Sequence, residues 1–199
     1  MITSEQVKEL RDLTGISIMQ CRKALEEAAG DMEKAQTILR KKGADIAAKK
    51  ADRTLGAGRI AAYVHSSGNV AAMVELSCET DFVAKNEEFF NVARDIAMQI
   101  VATDPKYLKA EDISEEERNK MKEVFLVEVD QSKSAEIKEK IITGKLDAYF
   151  NEQILLEQVF IKNDEFKIKD LIQGVIQKFG EKTEIRRFVR YSSKPKVTC

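Results

Sequence analysis

The chain has 199 residues, enough for one sizeable core plus a small satellite domain. Its 33 Lys and Arg against 34 Asp and Glu leave a net charge of −1, which argues against a duplex-wrapping nucleic-acid binder, since that needs a cationic surplus to displace counterions. The 34% charged fraction instead suggests long helices with solvated faces, or a heat-adapted host.

Taken from the start, residues 1–43 read as a compact three-helix module. Thr3 with Gln6 fits a capping box, and Val7, Leu10 and Leu13 supply an apolar stripe up to Gly15. Ser17 with Gln20 can form a second box, opening a helix that buries Cys21, Ala24, Leu25 and Ala28 and ends at Gly30. Asp31 caps a third helix with Met32, Ala35, Ile38 and Leu39 inward, closed by Lys41, Lys42 and Gly43. Helices this short are unstable alone and must pack on one another.

Residues 44–58 turn Ala- and Lys-rich and end in Gly56-Ala57-Gly58, predicting a short basic helix and a flexible linker. An α+β core is expected over 59–191. Arg59 to His65 and Val70 to Cys78 read as strands of a hairpin around Ser66-Ser67-Gly68-Asn69. After the second strand Thr80 is placed as a helix N-cap, so Asp81 and Phe82 fall in a first helical turn. Phe89, Ala93, Ile96, Ala97 and Ile100 recur at helical spacing to Thr103, before Pro105. Phe82 lies outside that stripe. It either fills the core at the strand-to-helix connection or projects from the surface.

Ser114 opens a further helix with Met121, Val124 and Phe125 apolar. A polar break over Asp130 to Ser134 separates it from one carrying Ile137, Ile141, Leu146, Tyr149 and Phe150, and the two predict a helical hairpin. Then follow a strand from Gln158 to Lys162, a helix from Asp170 to Lys178 halted by Gly180, and a strand from Glu184 to Tyr191. Residues 192–199 lack periodicity and predict a flexible tail.

Chemistry has little to stand on. Cys21, Cys78 and Cys199 are too few and scattered for a disulfide framework, and with the single His65 they make no paired zinc motif. No phosphate-cradling Gly-rich loop and no nucleophile–base spacing occur, and carboxylates come as charge runs such as Glu115-Glu116-Glu117. The expectation is a non-enzyme without metal or cofactor. Neither a secretory pattern nor a long apolar run is present, so a cytoplasmic protein without membrane contact is expected.

Three ordered blocks carry a resemblance. The first is Leu10-Arg11, Thr14-Gly15, Cys21-Arg22-Lys23-Ala24-Leu25, Gly30-Asp31 and Leu39-Arg40-Lys41-Lys42-Gly43. The second runs from Glu75 to Ala84 with Thr80-Asp81-Phe82-Val83 at its centre. The third spans Gly144-Lys145-Leu146 and Leu156-Glu157-Gln158 to Arg187-Phe188-Val189-Arg190. Together they resemble the elongation factor Ts family, guanine-nucleotide exchange factors for elongation factor Tu, in its short, single-core form. Ile16, Ser17 and Gln20 depart from that pattern, which usually has small residues at the first two positions and Asp at the third; Lys167 stands where a Thr or Ser cap is common.

The resemblance implies an N-terminal ubiquitin-associated-like module and homodimerisation through the sheets. It also implies a mechanism: Asp81 and Phe82, flanked by Thr80 and Val83, push between two helices of the partner's nucleotide-binding domain. That disturbs the phosphate loop and magnesium site. By the same resemblance Arg11, Ile18 and Met19 form the N-terminal contact, with Lys50 and His65 as secondary candidates. Two other classes compete: a ubiquitin-associated-like peptide-binding adaptor, and an RNA-binding protein using the Lys-rich 41–50 segment.

Overall fold

The computed structural model describes residues 2–129 and 134–193. Three helices come first: α1 (Ser4–Thr14), α2 (Ile18–Glu27) and α3 (Met32–Lys49). The Thr3/Gln6 capping box is formed in both directions, and Gly15 ends α1 in the left-handed region at φ 67°. Ser17 accepts from the Gln20 backbone N–H at 3.4 Å, but the Gln20 side chain does not reach back; it accepts instead from Gln177 Nε2 at 2.6 Å. The second box is therefore half a box. Val7, Leu10, Ile16, Cys21, Ala24, Leu25, Ala28, Ala35 and Leu39 form one closed apolar cluster. Leu13 was expected among them and is half-exposed; it borders a cleft shared with Leu39, Phe166 and Phe179.

The third helix does not stop at Gly43. It continues to Lys49, and Gly43 is buried where α3 crosses α8 (Ile168–Phe179). A Cβ on Gly43 would lie 3.1 Å from Gln177 Oε1 and 3.5 Å from the Gln173 carbonyl oxygen. The glycine is there for close helix approach. Ile46 and Ala47, beyond it, already pack against the main core.

The expected linker is likewise shorter. β1 (Ala57–Val64) includes Gly58, where a Cβ would stand 2.8 Å from the Leu76 carbonyl oxygen. β1 pairs antiparallel with β2 (Val70–Cys78), and β2 with β5 (Thr183–Ser192), giving the order β1-β2-β5. The hairpin closes through His65 N–H to the Val70 carbonyl at 3.0 Å, with Gly68 at φ 69°. The alternation places Ala61, Ala72, Val74, Leu76 and Ile185 inward, against Phe89, Ala93, Ile96 and Ile100 of α5 (Glu87–Thr103) and Ile172, Val175 and Ile176 of α8. The outer face carries Ile60, Val64, Met73, Val189 and Tyr191, all exposed.

α6 (Glu115–Glu128) and α7 (Ala135–Asn151) form the helical hairpin, joined by a Phe125–Tyr149 edge contact and a 2.7 Å Lys145–Glu128 ion pair. Most of the expected polar break lies in 130–133, outside the described residues; Ser134 caps α7 by position. On α7, Ile142 rather than Ile141 is buried. The strand expected over 158–162 contracts to β3 (Val159–Phe160), paired with β4 (Asn163–Lys167), which the charged Asn-Asp-Glu run conceals. α8 starts two residues earlier than predicted and ends at Gly180, φ 70°. Ser192 closes β5 rather than starting a tail; residues 194–199 lie outside the described set.

The architecture is α+β: three N-terminal helices, then a core with a small antiparallel sheet and a helical hairpin. Among the described residues no helix is long and apolar enough to cross a membrane.

Candidate partner-binding site

β2 leaves the core at Cys78, and the chain turns sharply through Glu79 and Thr80 into a four-residue helix, α4 (Asp81–Ala84). Lys85 and Asn86 separate this turn from α5, which begins at Glu87, and the Asn86 side chain caps α5 through a 2.8 Å bond from the Glu88 N–H. On α4 the side chains divide sharply. Val83 and Ala84 are buried in the core, Val83 only 3% exposed. Phe82 is 84% exposed. Of the two sequence alternatives for Phe82, projection holds. Asp81 is exposed beside it, with Lys85 Nζ 3.7 Å away.

Thr80 occupies the N-cap position without capping: its hydroxyl donates to Glu181 Oε1 at 2.6 Å. Glu181 Oε2 also accepts the Glu79 and Thr80 backbone N–H groups at 3.1 and 3.0 Å. In return, Glu79 Oε1 accepts the Lys182 N–H at 2.5 Å, and Arg53 Nη1 donates to both Glu79 oxygens at 3.2 and 3.1 Å. The Lys182 N–H, and then Arg53, hold the Glu79 carboxyl below the usual carboxylate range. The Cys78 thiol donates to the Thr80 carbonyl at 3.3 Å; burial, then the nearby Glu181 charge, push its pKa up to about 11. From the other side, Arg59 Nη1 reaches the Ala84 carbonyl at 3.5 Å while its guanidinium lies 4.8 Å from the Phe90 ring centre. The turn that presents Phe82 is thus braced at both ends.

Arg53, Glu79 and Glu181 are the residues sequence reading missed. The signal is the β2–β5 register, which sets Cys78 opposite Thr183 and so brings Glu181 alongside Thr80. No local spacing announces that pairing.

On the N-terminal helices, Ile18 (55% exposed) and Met19 (70% exposed) stand at the start of α2, with exposed Arg11 on α1. Arg11 and Ile18 border one shallow groove with Ile2, Val7, Lys8 and Arg22. Lys50 is engaged within the chain, its Nζ donating to the Gly180 carbonyl at 2.6 Å. Lys42 of the basic segment is paired with Glu27 at 2.6 Å. His65 is exposed at the hairpin, where its Nδ1 lies 2.7 Å from the Ser67 hydroxyl and accepts the Ser67 N–H at 3.2 Å. Among the described residues, no three His, Cys, Asp or Glu side chains come together to hold a metal ion.

Comparison with known proteins fits this geometry. The family model described as elongation factor TS matches residues 3–193. Elongation factor Ts of Carboxydothermus hydrogenoformans is 50% identical over 192 residues, covering 96% of this chain and 88% of that protein. That of Thermodesulfovibrio yellowstonii is 50% identical over 190 residues, covering 96% and 95%. That of Thermotoga maritima is 47% identical over 190 residues, with the same coverage. An end-to-end match of this depth, on a chain that displays the Thr80-Asp81-Phe82 turn at its surface, is conclusive: the chain belongs to the elongation factor Ts family.

Proposed function

We propose that this chain promotes GDP release from elongation factor Tu by inserting Asp81 and Phe82 into its nucleotide-binding domain. Family membership supports the coarser part, a translation elongation factor acting in nucleotide exchange. The observation that carries the finer part is Phe82, a large apolar side chain 84% exposed on a turn held by its neighbours. A Phe can bury roughly 150–250 Å² and serve as an anchor for a partner. Pre-formed, it costs little ordering on contact. Binding gained at the wedge stabilises a partner conformation that holds nucleotide poorly, and by linkage GDP and the factor weaken each other's binding by one common factor. No proton transfer or covalent step is required.

Arg11, Ile18 and Met19 form a second contact, so that residues 1–43 add affinity while the wedge performs exchange. His65 contributes a further contact from the hairpin; Lys50 serves the fold. The protein works in the cytoplasm as a homodimer paired through its outer sheet faces. Support for that pairing comes from the cross-strand rows Ala62–Met73–Val189 and Val64–Ala71–Tyr191, which leave an apolar strip open beside the Glu75–Arg187 ion pair. A monomer mass at working concentration overturns the dimer. The exchange reading is tested by mixing the protein with elongation factor Tu carrying fluorescent GDP. Faster release in proportion to added factor is expected, and an unchanged release rate refutes it.

A further inference from the structure

We propose that Glu181 is a positioning residue for exchange: its carboxylate, reaching across from the connection between α8 and β5, sets the direction in which Phe82 points. This deepens the wedge reading and rests on it. Glu181 takes three donors from two consecutive residues, the Glu79 and Thr80 N–H groups and the Thr80 hydroxyl, at 3.1, 3.0 and 2.6 Å. These are the residues that fix the path of the chain from β2 into α4. With β2 locked into the sheet on one side and Val83 buried on the other, the turn has few remaining freedoms, and Glu181 removes them.

The arrangement is reciprocal, since Glu79 accepts from the N–H of Lys182, the residue after Glu181. Two carboxylates therefore cross between two turns, each accepting the other turn's backbone N–H groups. Among the described residues the Glu79 and Thr80 N–H groups have no other acceptor, so without Glu181 they turn to water and α4 gains the freedom to swing. The Thr80 hydroxyl is committed to Glu181 and is not free to cap α4, so the short helix depends on this tertiary contact for what a side-chain cap would otherwise give. Nothing about Glu181 itself requires contact with a partner. It acts through Phe82.

The test compares Glu181→Ala with Glu181→Gln in the full chain, using the maximal rate of fluorescent GDP release at saturating factor. Losing hydrogen bonds to a charged acceptor corresponds to about a tenfold loss, the effect expected for Glu181→Ala. Glu181→Gln keeps an oxygen acceptor for the two N–H groups and is expected to restore most of the rate. Phe82→Ala combined with Glu181→Ala should be little slower than Phe82→Ala alone, because both act through one side chain. Amide hydrogen exchange gives a readout independent of activity: the Glu79 and Thr80 amides should lose protection in Glu181→Ala while those of the β2 interior keep it.

A Glu181→Ala protein with the native maximal rate, or with both amides still protected, overturns the proposal. So does an additive double variant. If Phe82→Ala alone exchanges normally, the wedge reading itself has failed. If Phe82→Ala is slow and Glu181→Ala is not, only the assignment to Glu181 has.

Discussion

Replacing Phe82 and, separately, Val83 by alanine perturbs two adjacent side chains with opposite surroundings. Val83 is 3% exposed and packed in the main core. Removing two methyl groups there costs about 1.5 kcal/mol of transfer free energy, and the residual cavity raises this to about 2 kcal/mol. At about 2–4 °C per kcal/mol for a chain of this size, Val83→Ala should melt roughly 4–8 °C lower. Phe82 is 84% exposed, so in the free protein its truncation removes almost no burial. Stability should stay within about 0.5 kcal/mol of the native value. In the complex, burying the ring over roughly 150–250 Å² sets a ceiling of about 4–6 kcal/mol. A well-packed anchor loses about 2 kcal/mol or more on truncation, which is roughly thirtyfold in the corresponding constant. The assay is paired: calorimetric melting of the free proteins, and stopped-flow release of fluorescent GDP from elongation factor Tu. Phe82→Ala should be cold in the first and severe in the second; Val83→Ala should be the reverse, with its folded fraction still active. A Phe82→Ala protein that melts lower yet exchanges normally refutes the reasoning.

Other outcomes follow from the same structure. Asp81→Asn removes a charge whose only close ion-pair partner among the described residues is the exposed Lys85, so melting should hardly move, while GDP release should fall roughly tenfold if the carboxylate meets the partner in a dry interface. Native release kinetics for Asp81→Asn would show the charge is unused. Gly43→Leu places a large side chain where even a Cβ meets Gln177 at 3.1 Å and should lower the melting temperature by several degrees, about 1–3 kcal/mol of overpacking; an unchanged melt would mean that α3 and α8 yield easily. Cys78 should resist alkylation at pH 8 in the native protein and react only after unfolding. Because its folded pKa, about 11, exceeds the reference value of 9.0, the protonated thiol's contribution is present below about pH 9 and is lost as pH rises towards 11; replacement by serine should flatten this decline in a pH series of melts.

The helices and strands governed by local chemistry were legible in the sequence. Thr3 with Gln6, Asp31, Ser114 and Gly180 cap or end helices where their residue types demand it, and the apolar run from Val70 to Cys78 is the buried central strand. Expectations failed where a distant segment decides the outcome. Gly43 has the local look of a helix terminator, but its missing side chain serves α8, far along the chain, and the helix runs on. Thr80 looks like a cap, yet its hydroxyl is taken by Glu181. β4 is written in polar residues because neither face of its two-stranded ribbon is fully covered, so alternation is faint. At the candidate site, Phe82 stood out because it lies outside the apolar stripe of α5 and Asp81 through the family resemblance, whereas Glu79, Arg53 and Glu181 matter through pairing geometry alone.

The uninterrupted α3 also fixes an angle. Its 18 residues make a rod of about 27 Å, rooted at one end in the cluster beneath Ile18 and Met19. At the other end Lys50 holds Gly180, and Arg53, just past it, holds Glu79 at the base of the α4 turn. The two surfaces proposed to meet the partner are thus indexed to each other by helical phase rather than tethered by a slack chain. One alanine inserted beyond Gly43 advances everything downstream by only about 1.5 Å but turns it by about 100°. Such a protein would keep both surfaces and lose their common bearing, so each could engage the partner only in turn, without the gain in effective concentration that simultaneous contact provides.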